Sequence, residues 1–262
     1  MTAAGLDIAN AAALLEAARA ERLVRREPPP GAWARTPAEG VAIQHARAAL
    51  RGALPPAGFK IGATGARMQA YLGIREPIAG FMEAANLHAS GATLRFADFV
   101  RPGVECEIAV RLARDLPPGP CDPARAAAAV AEVMAGIEIV ESRYEDTVAL
   151  GVPMLEADMM FHAAAVLGAP AADWRALDLK ALIGNITVGG NAAGEGAGRE
   201  LLGDPMACLA WLAASPLAAR FGGLRAGQVV MLGSVTPPVW LDAACAVEVA
   251  FPPLPPASLT FS

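Results

Sequence analysis

Aromatic residues make up only 5% of this 262-residue chain, so it offers no series of rings on which nucleic-acid bases could stack. Basic residues are few and scattered. The 21 lysines and arginines stand against 26 acids and leave a net charge of −5, the wrong sign for a groove that displaces counterions from phosphates. The cysteines, Cys106, Cys121, Cys208 and Cys245, form no CxxC pair; that spacing fits reduced thiols better than a disulfide framework or a zinc site. His45, His88 and His162 show neither HxH nor HExxH spacing, so no histidine metal site is expected. Ser234 lies outside any GxSxG elbow, and Gly194-Glu195-Gly196-Ala197-Gly198 lacks the strand–turn–helix setting of a phosphate loop. Uncharged stretches such as 207–219 and 226–241 are broken by proline or too short to span a bilayer. The N-terminus carries Asp7 and Glu16 and no basic segment, so it does not read as a secretory signal. These absences predict a cytoplasmic enzyme or binding protein with no nucleic-acid and no membrane partner.

What is present is apolar: hydrophobic residues reach 55% and charged ones only 18%, enough for a substantial core and against disorder. Ile8, Ala11, Ala12, Leu15 and Ala18 recur at helical spacing and predict a helix over 6–25, closed by Pro28-Pro29-Pro30-Gly31. A second helix is expected over 37–50, with Pro37 in its first turn. After Pro55-Pro56 the pattern turns to short β-type runs at 58–62, 93–96, 105–112, 136–140, 182–188, 228–233 and 246–251. Two further helices are expected, over 123–135 and 204–214. The chain therefore divides into a helical N-terminal cap, residues 1–57, and a body, residues 58–262. The fold class is α+β, with a mostly antiparallel β roll or sandwich.

Within the body, Val104-Glu105-Cys106-Glu107-Ile108 is the most informative stretch. Side chains alternate along a strand, so Glu105 and Glu107 share a face. Neighbouring carboxylates raise each other's pKa unless a cation lies between them, and hard Mg²⁺ or Mn²⁺ prefers oxygen ligands. Glu138, inside the apolar run Gly136-Ile137-Glu138-Ile139-Val140, supplies a third carboxylate, and a charge there is costly to bury unless paired or coordinated. The same acids also fit a solvated strand face with Glu138 at the surface.

Lys60, in Gly58-Phe59-Lys60-Ile61-Gly62, and Lys180 are the only lysines. In so arginine-biased a chain, a lysine among apolar residues suits a tunable ammonium that binds a carboxylate or moves protons. A snorkelling surface lysine is the plainer alternative.

In order along the chain, these residues resemble the 2-keto-4-pentenoate hydratase / 4-oxalocrotonate decarboxylase group of the fumarylacetoacetate hydrolase superfamily. The elements carrying the resemblance are Gly58-Phe59-Lys60-Ile61-Gly62-Ala63-Thr64, Tyr71-Leu72-Gly73-Ile74, Arg101-Pro102 with Glu105-Cys106-Glu107, and Glu138-Ile139-Val140-Glu141-Ser142-Arg143. Leu202-Gly203-Asp204-Pro205, Leu224-Arg225-Ala226-Gly227 and Gly233-Ser234 continue it toward the C-terminus. The resemblance implies a fumarylacetoacetate-hydrolase-like body and a divalent metal, Mg²⁺ or Mn²⁺, on Glu105, Glu107 and Glu138. It further implies catalytic roles for Lys60 and Asp158, with Lys60, Phe161 and Ser234 at the substrate.

The implied activity is hydration of a 2-hydroxy-2,4-dienoate, a small unsaturated 2-keto acid in its enol form; the abundant apolar residues permit a large interface, and a homo-oligomer is expected. Decarboxylation of a 4-oxalocrotonate-type acid, acylpyruvate hydrolysis, and a non-catalytic partner subunit are the alternatives. The chain departs from the family at Ala157-Asp158-Met159-Met160-Phe161-His162, where Met159 and Phe161 stand in place of an asparagine and a serine.

Overall fold

The computed structural model describes residues 5–262. Asp7 caps α1 (Ile8–Ala20) by accepting the Asn10 N–H at 3.1 Å. The helix ends five residues before the expected 25. Arg22 takes a left-handed backbone, and Arg25 pairs with Tyr144 in an isolated parallel bridge, so tertiary pairing draws the chain out of the helix. The second helix, α2 (Pro37–Leu50), spans the expected residues and opens with a capping box of Thr36 and Glu39, which satisfies two amides reciprocally.

The larger sheet has eight strands. In spatial order seven of them are β2 (Ile78–Met82), β1 (Gly58–Gly62), β10 (Val229–Ser234), β5 (Pro102–Leu112), β6 (Val130–Glu141), β7 (His162–Leu167) and β3 (Leu87–Ala89). The short β11 (Val239–Trp240) pairs with β5 off this path. The smaller sheet runs β4 (Ala92–Leu94), β13 (Ala257–Phe261), β12 (Ala246–Ala250), β8 (Ile183–Val188) and β9 (Asn191–Ala197). Among the strand pairs of the two sheets in the described residues only β1–β10, β3–β7 and β4–β13 are parallel, so the α+β, mostly antiparallel expectation holds. The remaining helices are α3 (Ala66–Leu72), α4 (Pro123–Ala128), α5 (Thr147–Ala157), α6 (Pro205–Ala214) and α7 (Pro216–Arg220).

The long β5–β6 pairing decides where the acids sit. Val104, Cys106, Ile108 and Val110 enter the main core with Leu209 and Leu212 of α6, Ile186 of β8 and Val249 of β12. Their alternates Glu105, Glu107 and Ala109 face the other way. There Ala109 joins Met82, Met134, Ala165, Val229 and Met231 in a second apolar cluster. The sheet curls until β2 touches β7, so this second face becomes an interior. Each fully buried Val or Ile contributes about 1.5–3 kcal/mol. A one-residue slip of β5 would exchange such residues for glutamates, so the register is strongly set.

The helical region shares its core with the body. Ala11, Ala12 and Leu15 of α1 and Ile43 of α2 pack with Leu150, Met154 and Leu155 of α5 and Ile78 of β2. Two expected boundaries shift. The helix over 123–135 stops at Ala128, and β6 begins at Val130. The alanine run favours helix locally, but ladder pairing with β5 from Leu112 to Pro102 overrides it. The helix α5 gave no sequence signal because Gly151, with φ 72°, and Pro153 interrupt its pattern.

Candidate metal centre and its cavity

Glu105 and Glu138 are direct cross-strand partners in the β5–β6 ladder, and Glu107 lies one pleat on, opposite Gly136. Opposed side chains start about 5 Å apart, which brings the three carboxylates together. Their ligand atoms lie within 4.8 Å of one another, and among the described residues this is the one group of three or more such side chains able to hold a metal ion. Glu107 and Glu138 are fully buried, whereas Glu105 reaches a cavity of about 480 Å³.

Each acid has a distinct setting. Glu107 Oε2 accepts the Gly233 N–H at 2.9 Å. Gly233 sits at φ 109° where β10 bulges between Met231 and Ser234, and a Cβ there would fall 2.2 Å from Thr64 Oγ1, so only glycine fits. Glu138 Oε1 meets His162 Nδ1 at 2.7 Å and Lys60 Nζ at 3.4 Å. Glu107 Oε1 and Glu138 Oε2 are buried with no hydrogen-bond partner. Orphaned carboxylate oxygens at buried positions are costly. A hard divalent cation satisfies both at once, and the all-oxygen donor set suits one. The residues present therefore fit a divalent metal.

The charge states follow. Burial pushes the Glu105 carboxyl up to about 8, with Glu138 adding to the rise and Lys60 opposing it. Burial and then the charges of Glu138 and Glu105 push Glu107 well above the usual carboxylate range. Burial also penalises ionised Glu138, but Lys60 and His162 outweigh it and hold this carboxyl down at about 2. Without a cation, burial and mutual repulsion thus favour the protonated forms of Glu105 and Glu107, while Lys60 and His162 favour ionised Glu138. Burial lowers the His162 pKa. A neutral His162 beside a carboxylate must carry its proton on Nδ1, which leaves Nε2 as a bare acceptor, buried and without a partner.

Lys60 is 1% exposed. Its Nζ donates to the Met160 carbonyl at 2.9 Å and stands directly behind Gly62 in the cavity wall, where an added Cβ would sit 3.4 Å from it. The cavity continues past Thr64, Arg67 and Tyr71 on one side and Ser234, Val235, Thr236 and Pro237 on the other. Ser234 lines this cavity, and its hydroxyl is committed to backbone. It donates to Thr236 O at 2.7 Å and accepts from Cys106 N at 3.2 Å, pinning the bulge. Thr64 Oγ1 is buried and unpartnered at the cavity.

Asp158 and Phe161 are not brought to this cavity. Asp158 Oδ1 accepts from Arg47 Nη1 at 2.8 Å and Oδ2 from Arg143 Nε at 3.1 Å. Burial opposes its ionisation, but the two guanidiniums hold its carboxyl down at about 2. Phe161 packs against Tyr144, and its ring centroid lies 5.5 Å from the Arg143 guanidinium carbon. His162 and Thr64 are the groups that spacing rules missed. His162 opens a strand of small residues, and nothing but the fold brings it to Glu138.

The family described as fumarylacetoacetate (FAA) hydrolase C-terminal matches residues 60–260. A 2-keto-4-pentenoate hydratase of Burkholderia vietnamiensis strain G4 is 35% identical over 195 residues, 71% of each chain. A 4-oxalocrotonate decarboxylase of Pseudomonas putida is 30% identical over 179 residues, covering 68% of this chain and 67% of that one. The solved 4-oxalocrotonate decarboxylase from Pseudomonas putida G7, complexed with magnesium and adipate, superposes with a TM-score of 0.88 at 25% identity, covering 97% of both chains. The β5–β6 acid cluster thus sits in a chain that belongs to the fumarylacetoacetate hydrolase family, in its 2-keto-4-pentenoate hydratase and 4-oxalocrotonate decarboxylase group.

Proposed function

We propose that this protein is a metal-dependent hydratase that adds water to a 2-hydroxy-2,4-dienoate of the 2-keto-4-pentenoate type. The observation that carries this reading is the convergence of Glu105, Glu107 and Glu138, two of them with orphaned oxygens, beside a cavity that Glu105 lines. The hydratase names of the relatives at 35% identity favour this reaction over decarboxylation.

Glu105, Glu107 and Glu138 would hold Mg²⁺ or Mn²⁺. The ion, when bound, supplies Lewis-acid polarisation of a 2-oxo acid's carboxylate and keto oxygens. The protein does the rest. The Gly233 N–H and His162 Nδ1–H fix the rotamers of Glu107 and Glu138, so the donor set is built before anything binds. Lys60 has three N–H donors, one committed to the Met160 carbonyl. A second faces Glu138 Oε1 at 3.4 Å and offsets the charge of the acid cluster, and the third can pair with a substrate oxygen or return a proton to the diene carbon chain. Thr64 Oγ1 offers a hydroxyl with no protein partner to the acid head. The apolar wall of Val235, Pro237 and Pro238 covers the hydrocarbon tail and limits water to the open end. Four free cysteines fit a reducing cytoplasm.

Loss of a 2-hydroxypenta-2,4-dienoate ultraviolet chromophore, followed with and without Mg²⁺ while CO₂ is measured, tests this. Metal-dependent loss without CO₂ is expected. Stoichiometric CO₂ from a 4-oxalocrotonate-type acid, with the dienoate untouched, would replace hydratase by decarboxylase.

A further inference from the structure

Between Asp158 and His162 the backbone does something unusual. Met159, Met160 and Phe161 all have positive φ, at 54°, 47° and 65°. Side chains with a Cβ disfavour this region, and three in succession persist only where the surroundings over-determine them. The contacts on either side are close. A Cβ on Gly80 would fall 2.9 Å from Met159 Cβ, and one on Gly62 would fall 2.9 Å from Met160 Cγ.

This segment makes two contacts that bear on the acid cluster, one to Lys60 and one to Glu138. The Met160 carbonyl holds Lys60 Nζ at 2.9 Å, and His162 Nδ1 holds Glu138 Oε1 at 2.7 Å. Its near end is clamped by buried charge. Arg47 Nη1 reaches both Asp158 Oδ1 and the Ala157 carbonyl at 2.8 Å. Arg143 reaches Asp158 Oδ2 and also donates to the Asp158 carbonyl at 3.3 Å. Glu141 takes the remaining Arg143 fork at 2.6 Å and accepts the Val100 N–H at 2.9 Å. Arg47 is wholly buried and comes from α2.

We infer that Asp158, gripped by Arg47 and Arg143, is a positioning residue: it holds Met159–Phe161 in their left-handed course so that the Met160 carbonyl aims Lys60 and His162 aims Glu138. Asp158 acts through these two contacts and does not touch the cavity. The helical region therefore contributes to turnover through Arg47, without lining the site. Guanidinium forks suit this task because they fix two acceptors in one plane. A lysine at 47 keeps the charge but loses that geometry.

This inference rests on the hydratase reading, and one set of measurements separates the two. The test is Asp158→Asn in the full chain, with folded fraction from circular dichroism, Mn²⁺ affinity from calorimetry, and kcat and KM on the dienoate per folded molecule. We expect KM within about threefold of wild type, Mn²⁺ affinity weaker by roughly tenfold and, at saturating Mn²⁺, kcat lower by at least tenfold, because the ligands remain while Lys60 and Glu138 lose their aim. Where Asp158→Asn does not fold, Arg47→Lys is measured in the same way, with the same losses in Mn²⁺ affinity and kcat expected. A kcat per folded, metal-loaded molecule within twofold of wild type overturns the inference and leaves the hydratase reading standing. A wild-type protein that binds no Mn²⁺ and leaves the dienoate unchanged overturns both.

Discussion

Replacing Glu107 by glutamine tests the metal centre most directly, because the change is nearly isosteric. The carboxamide oxygen can still accept the Gly233 N–H that Glu107 Oε2 takes at 2.9 Å. The new NH₂ replaces an oxygen that had no partner and can donate toward Glu138. One of three crowded acids disappears, so the metal-free variant should melt no lower than metal-free wild type. Metal linkage should be lost instead. At a free Mg²⁺ concentration of about 100 times its Kd, binding stabilises the native state by about 2.7 kcal/mol. The unfolding entropy of 262 residues is about 0.55 kcal/mol/K at about 2.1 cal/mol/K per residue. The wild-type melting temperature should then rise by about 5 °C between EDTA and excess Mg²⁺. Scanning calorimetry of both proteins in both conditions reads this, and the dienoate assay reads turnover. The variant should show no shift and no activity with an unchanged fold. A Glu107→Gln protein that keeps the full shift and wild-type turnover would refute the assignment of the three glutamates.

Two further predictions come from the charge states. With Glu105 pushed up to about 8 and Glu107 well above its usual range, a dication must displace protons at neutral pH. Calorimetry in buffers of different ionisation enthalpy should detect proton release at pH 7, and affinity should weaken by roughly tenfold per pH unit per proton below pH 8; a pH-independent affinity would contradict this. Glu156, on α5, has its carboxyl pushed up to about 7 by burial, and its Oε2 is buried without a partner. The folded state therefore holds a proton that the unfolded chain releases near pH 4.3. That contribution is full below this pH and lost as pH rises through 7. Glu156→Gln should raise the melting temperature at pH 8 and change it little at pH 4.5; equal effects at both would show that the carboxyl is not destabilised by burial.

The acids were legible because strand alternation is a local rule. Once 105–112 reads as a strand, Glu105 and Glu107 must share a face. Glu138 was legible as an anomaly, a charge inside an apolar β-branched run. The pairing of Glu138 opposite Glu105 depended on β6 reaching back to Val130, through an alanine run whose local preference is helical. Asp158 shows the converse. Sequence context marks it as a site residue, but only the arrangement of α2, β6 and α5 reveals two arginines around it and no path to the cavity.

The sequence by itself determined the class of the fold, the strand face that carries the acids, and the chemistry of a hard-metal donor set. Those follow from side-chain type and period, which act over a few residues. Tertiary structure alone decided that Lys60 and His162 converge on one oxygen of Glu138. It alone decided that Met159–Phe161 run left-handed, and that Arg47 from the first 57 residues braces that turn. The contacts involved join residues 24 to 111 positions apart. Such contacts are set by the global packing of helices on a curled sheet, to which no local pattern is sensitive.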